Sequence, residues 1–353
     1  MRILLPVCVL ILASFSCYAQ KYTCLPCGLS CDTIAFNTSG KCPHCSMILV
    51  SNQVVSPGEI VLEKGSGNFL IQDGRDSSRT IRIFYHKPKK FNRDSRVVLV
   101  IPGSGRDGNE YRDAWKTASE KHNILILSPS FPVEKYKFED YHLGGIIKNT
   151  NLIEHVRPIE TTNKVELAED SIEFEVVHEP GSWIFSELDR IFELIKENLN
   201  LNTENYDIFG HSAGGHILHR MALFHSSDKV NRIVASNASF YTLPTTEFRF
   251  PFGIQDSPLT EVELGSVFRS SLILLLGEKD NAQETDGTFL ISKSANQQGN
   301  HRFERGRFFF EKSKEVAGKS GVAFLWKLQI VPGVGHDFRK MSKAAAAYLY
   351  SPR

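Results

Sequence analysis

Apolar residues follow two rhythms along this chain. Short, nearly continuous runs occur at Val97–Ile101, Ile124–Leu127, Tyr206–Phe209, Arg232–Ala235, Leu272–Leu276 and Lys327–Val331. Runs of that length without strict alternation predict strands covered on both faces, as in a mostly parallel sheet. Between them the period lengthens: Ile184, Leu188, Ile191, Phe192, Ile195 and Leu199 fall on one face of a helix over Trp183–Leu199. Further helices are expected from about Gly214 and in Met341–Tyr350. Phe69–Ile71 and Thr80–Tyr85 flank Asp73-Gly74, which predicts an antiparallel hairpin. From residue 65 to 353 the pattern therefore predicts an α/β fold with helices on both faces of the sheet.

The start of the chain reads differently. Met1-Arg2, the apolar run Ile3–Phe15 and the small residues of Cys17-Tyr18-Ala19 match a signal peptide cut after Ala19. The run is too short for a bilayer span, which takes roughly 20 residues. Acylation at Cys17 is the weaker alternative, because Ser14-Phe15-Ser16 is a poor context for it. The expected location is secreted or periplasmic. Charges are balanced, with 41 Lys+Arg against 40 Asp+Glu. No basic excess points to nucleic acid or to an anionic lipid surface.

All 7 cysteines lie at or before position 45. Two belong to the signal. Cys24/Cys27 and Cys42/Cys45 form two C-x-x-C pairs separated by 14 residues, a spacing that directs four sulfurs at one tetrahedral metal. Structural zinc at Cys24, Cys27, Cys42 and Cys45 is the first reading, with Cys31 left over. Disulfides are the second, since an exported chain meets oxidising conditions, and metal delivery is the third. Tyr22-Thr23-Cys24 and Gly40-Lys41-Cys42-Pro43-His44-Cys45-Ser46-Met47 resemble the short heavy-metal-binding, zinc-ribbon-like domains. Cys27 stands where that family usually has His, Ser46 where it has Gly, and Cys31 is additional. The module is expected over residues 20–60.

The chemistry is expected at strand ends. Gly210-His211-Ser212-Ala213-Gly214 follows a strand and opens a helix, so Ser212 would sit on a sharp turn with its hydroxyl exposed. A serine nucleophile needs a base, and the base needs an orienting acid. Asp280 follows the strand Leu272–Leu276, and His336 follows Lys327–Val331 in Gly333-Val334-Gly335-His336. Glu278 and Asp286 are competing acids. The Ser, Asp, His order and the three motifs resemble the α/β-hydrolase fold, and within it secreted esterases and polyhydroxyalkanoate-depolymerase-like proteins.

That resemblance implies a Ser212–His336–Asp280 triad, an acyl-enzyme intermediate and no catalytic cofactor. It implies an oxyanion hole from the N–H groups of Ala213 and Ser104, with Gly105 as the fallback. Pro102 stands where the family's loop begins with His, which leaves a backbone donor intact. Tyr241 and Phe252 are expected to line the substrate pocket. Residues 151–180 carry eight acidic and two basic side chains and are expected to be a solvated insertion rather than a lid. Lys87-Pro88-Lys89-Lys90 reads as an exposed turn. Two functional alternatives stay open: a serine peptidase of the prolyl-oligopeptidase type, and a metal-binding or interaction protein with a vestigial hydrolase domain.

Overall fold

The computed structural model describes residues 21–25 and 29–351; the expected signal segment and Cys27 lie outside the described residues. The chain divides into two compact units, Met1–Gln53 and Val54–Arg353. The break falls before residue 60 because the next segment belongs with the larger unit. Val55 N–H donates to Leu70 O at 2.7 Å, and Ile60 and Leu62 are buried in the larger unit's core. Among the described residues no helix is long and apolar enough to cross a membrane.

In the smaller unit, Tyr22–Thr23 is the middle strand of a three-stranded antiparallel sheet, flanked by Ala35–Phe36 and Val50–Ser51. Its buried cluster is Cys24, Cys31, Cys42 and Leu49.

The larger unit is built on eight strands: β1 (Gly65–Gln72), β2 (Thr80–Lys87), β3 (Arg96–Ile101), β4 (Ile124–Ser130), β5 (Tyr206–His211), β6 (Val230–Ser236), β7 (Leu272–Gly277) and β8 (Lys327–Val331). They lie in the order β1-β2-β4-β3-β5-β6-β7-β8. β2 is antiparallel to both β1 and β4, and every other neighbouring pair is parallel. The main helices are α1 (Gly108–Ala114), α2 (Lys116–His122), α3 (Ile184–Leu199), α4 (Ala213–Phe224), α5 (Arg302–Lys319) and α6 (Phe338–Tyr350).

The pleat explains why the strand sequences are apolar throughout. Val97, Leu99 and Ile101 of β3 enter the core shared with α3 and α4, while Val98 and Val100 enter the opposite core with α1 and α6. A strand covered on both faces cannot alternate polar and apolar positions. β8, at the edge, is covered less and can carry Lys327 and Gln329.

The acidic segment is docked rather than free. Val156–Pro158 and Lys164–Leu167 pair antiparallel, and the second of these runs parallel to Phe289–Ile291. The Glu169 carboxylate accepts bonds from the Ser292 hydroxyl and from the Ser294 amide and hydroxyl. Burial of Leu167 and Ile172 explains why so charged a segment stays down.

Candidate active site

Ser212 is the hinge between β5 and α4. Its backbone stands at φ 59, ψ −115, a strained conformation for a residue with a side chain. Two glycines make the turn possible. A Cβ on Gly210 would lie 2.5 Å from Gly214 O, and one on Gly214 would collide with the carbonyl oxygen of Ile101 in β3. The Ser212 amide donates to Ser236 O of β6 at 2.9 Å, which fixes the turn against the next strand.

Asp280 and His336 lie on the turns after β7 and β8, and the structure brings them together. His336 Nδ1 stands 2.7 Å from Asp280 Oδ2, with both side chains buried. A carboxylate is an acceptor, so Nδ1 carries the proton and Nε2 presents its lone pair. The competing acids are placed elsewhere: Glu278 accepts from the Gly333 amide at 2.8 Å, and Asp286 is exposed. Glu284 accepts from the His336 backbone amide at 2.6 Å, which holds the histidine turn. Asn237, immediately after β6, accepts from Gly277 N–H at 3.0 Å and donates to Gly335 O at 3.2 Å.

The His336 ring approaches the nucleophile turn. Its centroid is 4.5 Å from that of His211, the residue before Ser212. Burial pushes His211 well below the ordinary histidine range, and the neighbouring His336 and Arg302 push it the same way. Beside two basic groups His211 is therefore neutral.

The loop after β3 faces Ser212, since a Cβ on Gly103 would stand 3.5 Å from the serine Cβ. Tyr141 braces that loop by donating to Pro102 O at 2.7 Å, and the Arg106 guanidinium stacks 3.7 Å above the Tyr141 ring. Ser104 is exposed at the loop tip, and Ala213 is the buried first residue of α4. Amides in a helix's first turn have no intrahelical acceptor and carry the positive end of its dipole.

No protein-family profile matches the sequence, and a search of curated proteins finds no match either. Solved structures do match. The poly(3-hydroxybutyrate) depolymerase LpqC from Bordetella parapertussis superposes with a TM-score of 0.70 at 28% identity, covering 82% of this chain and 91% of that one. Poly(aspartic acid) hydrolase-1 from Sphingomonas sp. KT-1 gives 0.68 at 27% identity, covering 82% and 100%. The fold is that of the α/β-hydrolases. Both neighbours are hydrolases by name, and the likeness supports a hydrolytic enzyme.

Within this α/β-hydrolase the two residues expected against substrate separate. Phe252 lines a cleft of about 480 Å³ that also carries Glu169, Glu247, Arg249 and Lys293. Tyr241 is fully buried, stacked 4.8 Å from Phe309, with its amide donating to Gln298. It packs the interior because α5 closes over it, so it does not line that cleft.

Arg302, the first residue of α5, is a polar partner of the site that the motifs do not announce. Its Nη1 donates to Asp280 Oδ1 at 3.1 Å, and its Nη2 donates to the carbonyls of Gly287 and Thr288, each at 2.9 Å. A lone arginine 22 positions after the acid gives no sequence signal.

In the smaller unit, Cys24, Cys42 and Cys45 converge as the spacing predicts, and Cys31 joins them. Among the described residues no disulfide links any two of them. Burial raises the Cys42 thiol, but hydrogen bonds from Cys24 and from the His44 and Cys45 amides outweigh it and bring it down to about 6. That donor set fits a soft or borderline metal ion.

Proposed function

We propose that the chain is an exported serine hydrolase acting on carboxylic esters. The observation that carries this reading is the buried 2.7 Å pair of Asp280 and His336, on strand ends beside the strained Ser212 turn. Ser212 Oγ attacks the ester carbonyl and passes its proton to His336 Nε2. The N–H groups of Ala213 and Ser104 hold the negative oxygen of the tetrahedral intermediate. His336 then protonates the departing alkoxide, leaving an acyl-enzyme on Ser212. Water, deprotonated by the same histidine, attacks this ester and frees the acid and the serine. Asp280 keeps Nδ1 protonated and offsets the imidazolium charge.

Support for a substrate class comes from the two structural neighbours, one named for a polyester and the other for a polyamide of aspartate. Of these the polyester fits better, because a chain with balanced charge has no cationic excess to gather a polyanion. Export rests on the apolar start of the chain, with a mature N-terminus at Gln20.

A fluorophosphonate probe should label the wild type and leave Ser212→Ala unlabelled; labelling that persists in the variant overturns the nucleophile assignment. A substrate panel of short acyl esters, 3-hydroxybutyrate oligomers, poly(aspartate) and peptides should give turnover on the ester arms. Turnover confined to the amide arms would make the chain a peptidase or polyamide hydrolase instead.

A further inference from the structure

Five cysteines fall between residues 24 and 45, and their spacing pairs Cys24 with Cys27. Among the described residues the fold gathers Cys31 with Cys24, Cys42 and Cys45. The strand Tyr22–Thr23 delivers Cys24, and the single helical turn Ser30–Thr33 delivers Cys31, which is wholly buried. Cys42-Pro43-His44-Cys45 closes on itself, with Cys42 N–H donating to Met47 O at 2.8 Å and Ser46 N–H to Cys42 O at 2.9 Å. His44 N–H points at Cys42 Sγ from 3.4 Å, the kind of amide-to-sulfur contact that supports a bound thiolate.

The sulfurs of Cys24, Cys31, Cys42 and Cys45 all lie within 4.8 Å of one another. Four sulfurs held 2.3 Å from one zinc ion stand about 3.8 Å apart, so this cluster has the dimensions of a tetrathiolate shell. Cys24 and Cys45, with sulfurs 3.3 Å apart, are far beyond the roughly 2.05 Å of a disulfide. The pair also joins the two halves of the module, where a ligand bridging all four sulfurs would be most effective.

Folding energetics point the same way. Among the described residues, three buried cysteines and Leu49 make up this unit's buried cluster. A core that small cannot offset the chain entropy of roughly 30 residues without a metal or cross-links. The knuckle even tolerates Ser46 at φ 61, a left-handed position that glycine fills more easily.

We propose that Cys31 is the fourth ligand of a tetrathiolate zinc centre formed with Cys24, Cys42 and Cys45; four thiolates fill a tetrahedral shell and leave no position in it for Cys27. Binding exchanges the four thiol protons for one divalent cation, leaving a centre of net charge −2. The role is structural: the metal replaces the apolar core that the segment lacks.

The test reads each cysteine separately in the full processed protein, purified without chelator. Zinc content is measured, and each thiol is alkylated and mapped by peptide mass with and without prior chelation. One equivalent of zinc is expected. Chelation should expose Cys24, Cys31, Cys42 and Cys45 to alkylation and leave the labelling of Cys27 unchanged. Cys27→Ser should keep the full equivalent, and its cobalt-substituted form should keep the sulfur-to-metal charge-transfer intensity of the wild type. Cys31→Ser should lose the metal. Chelator-dependent labelling of Cys27 with metal-independent labelling of Cys31 overturns the assignment, as does metal-free protein whose peptides carry disulfides. Should Cys31→Ser fail to fold, the wild-type footprint and the Cys27→Ser spectrum still decide the question.

Discussion

Arg302 Nη1 lies 3.1 Å from Asp280 Oδ1, on the opposite side of the carboxylate from the 2.7 Å contact with His336. Asp280 is therefore gripped at both oxygens, and its plane is set by an arginine itself anchored to two backbone carbonyls. Arg302 touches no reacting atom in the proposed mechanism; it positions the group that positions the base.

Arg302→Met should leave a buried carboxylate short of one charged partner. Losing one side of such a pair typically costs about 3–5 kcal/mol of stability. At temperatures where the variant remains folded, kcat should fall by about 10-fold or more with KM little changed, and Arg302→Lys should recover part of it. Loss of stability with kcat intact would mean that Arg302 supports the fold alone.

Asp280→Asn keeps the shape of the acid but replaces its charge with a neutral amide that can no longer fix the tautomer. A drop in kcat of roughly 10⁴-fold is expected. Steady-state kinetics on the best ester of the panel measures it. A change of less than tenfold would assign the acid elsewhere, and Glu284, which already bonds the His336 amide, would be examined next.

Gly214→Ala drives a methyl group into the Ile101 carbonyl, an atom of the central sheet that has nowhere to move. Overpacking of this kind costs about 1–3 kcal/mol, to be read from urea denaturation. Gly181→Ala is the control, because a Cβ there meets nothing within 4 Å. Equal midpoints for the two variants would contradict the packing described at the nucleophile turn.

Four histidines, His142, His211, His216 and His219, are each held well below the ordinary value of 6.5, first by burial and then by nearby positive groups. Their folded-state values are depressed, so above 6.5 both folded and unfolded forms are neutral and stability is at its plateau. As pH falls below 6.5 only the unfolded chain takes up these protons. Each histidine should then remove about 1.4 kcal/mol of stability per pH unit. Urea midpoints at pH 7.5 and 5.5 should differ accordingly, and the difference should shrink in His219→Gln. A flat profile over that window would show that these rings protonate in place.

The sheet was legible in the sequence because strands covered on both faces must be apolar at every position, a signature that survives without knowledge of partners. Ser212, Asp280 and His336 stood out as candidates because each sits where an apolar run gives way to a glycine turn, and the fold brings the last two into contact. Arg302 was not, because a helix-starting arginine is ordinarily a solvated charge and only the tertiary fold turns it inward. Tyr241 shows the converse: an aromatic residue near an expected pocket reads the same whether it lines the pocket or fills the core behind it. Cys31 fell outside the C-x-x-C spacing because the turn Ser30–Thr33 recruits it by folding back, which no count of intervening residues can express.

Asn237 takes no part in the proposed chemistry, yet its amide spans from Gly277 at the end of β7 to Gly335 beside the histidine. The separation of the Asp280 and His336 turns is thus gauged from inside the sheet by a buried side chain. A change in the surface loops can therefore leave the spacing of the two turns untouched, because that spacing is set by a buried amide and not by the loops.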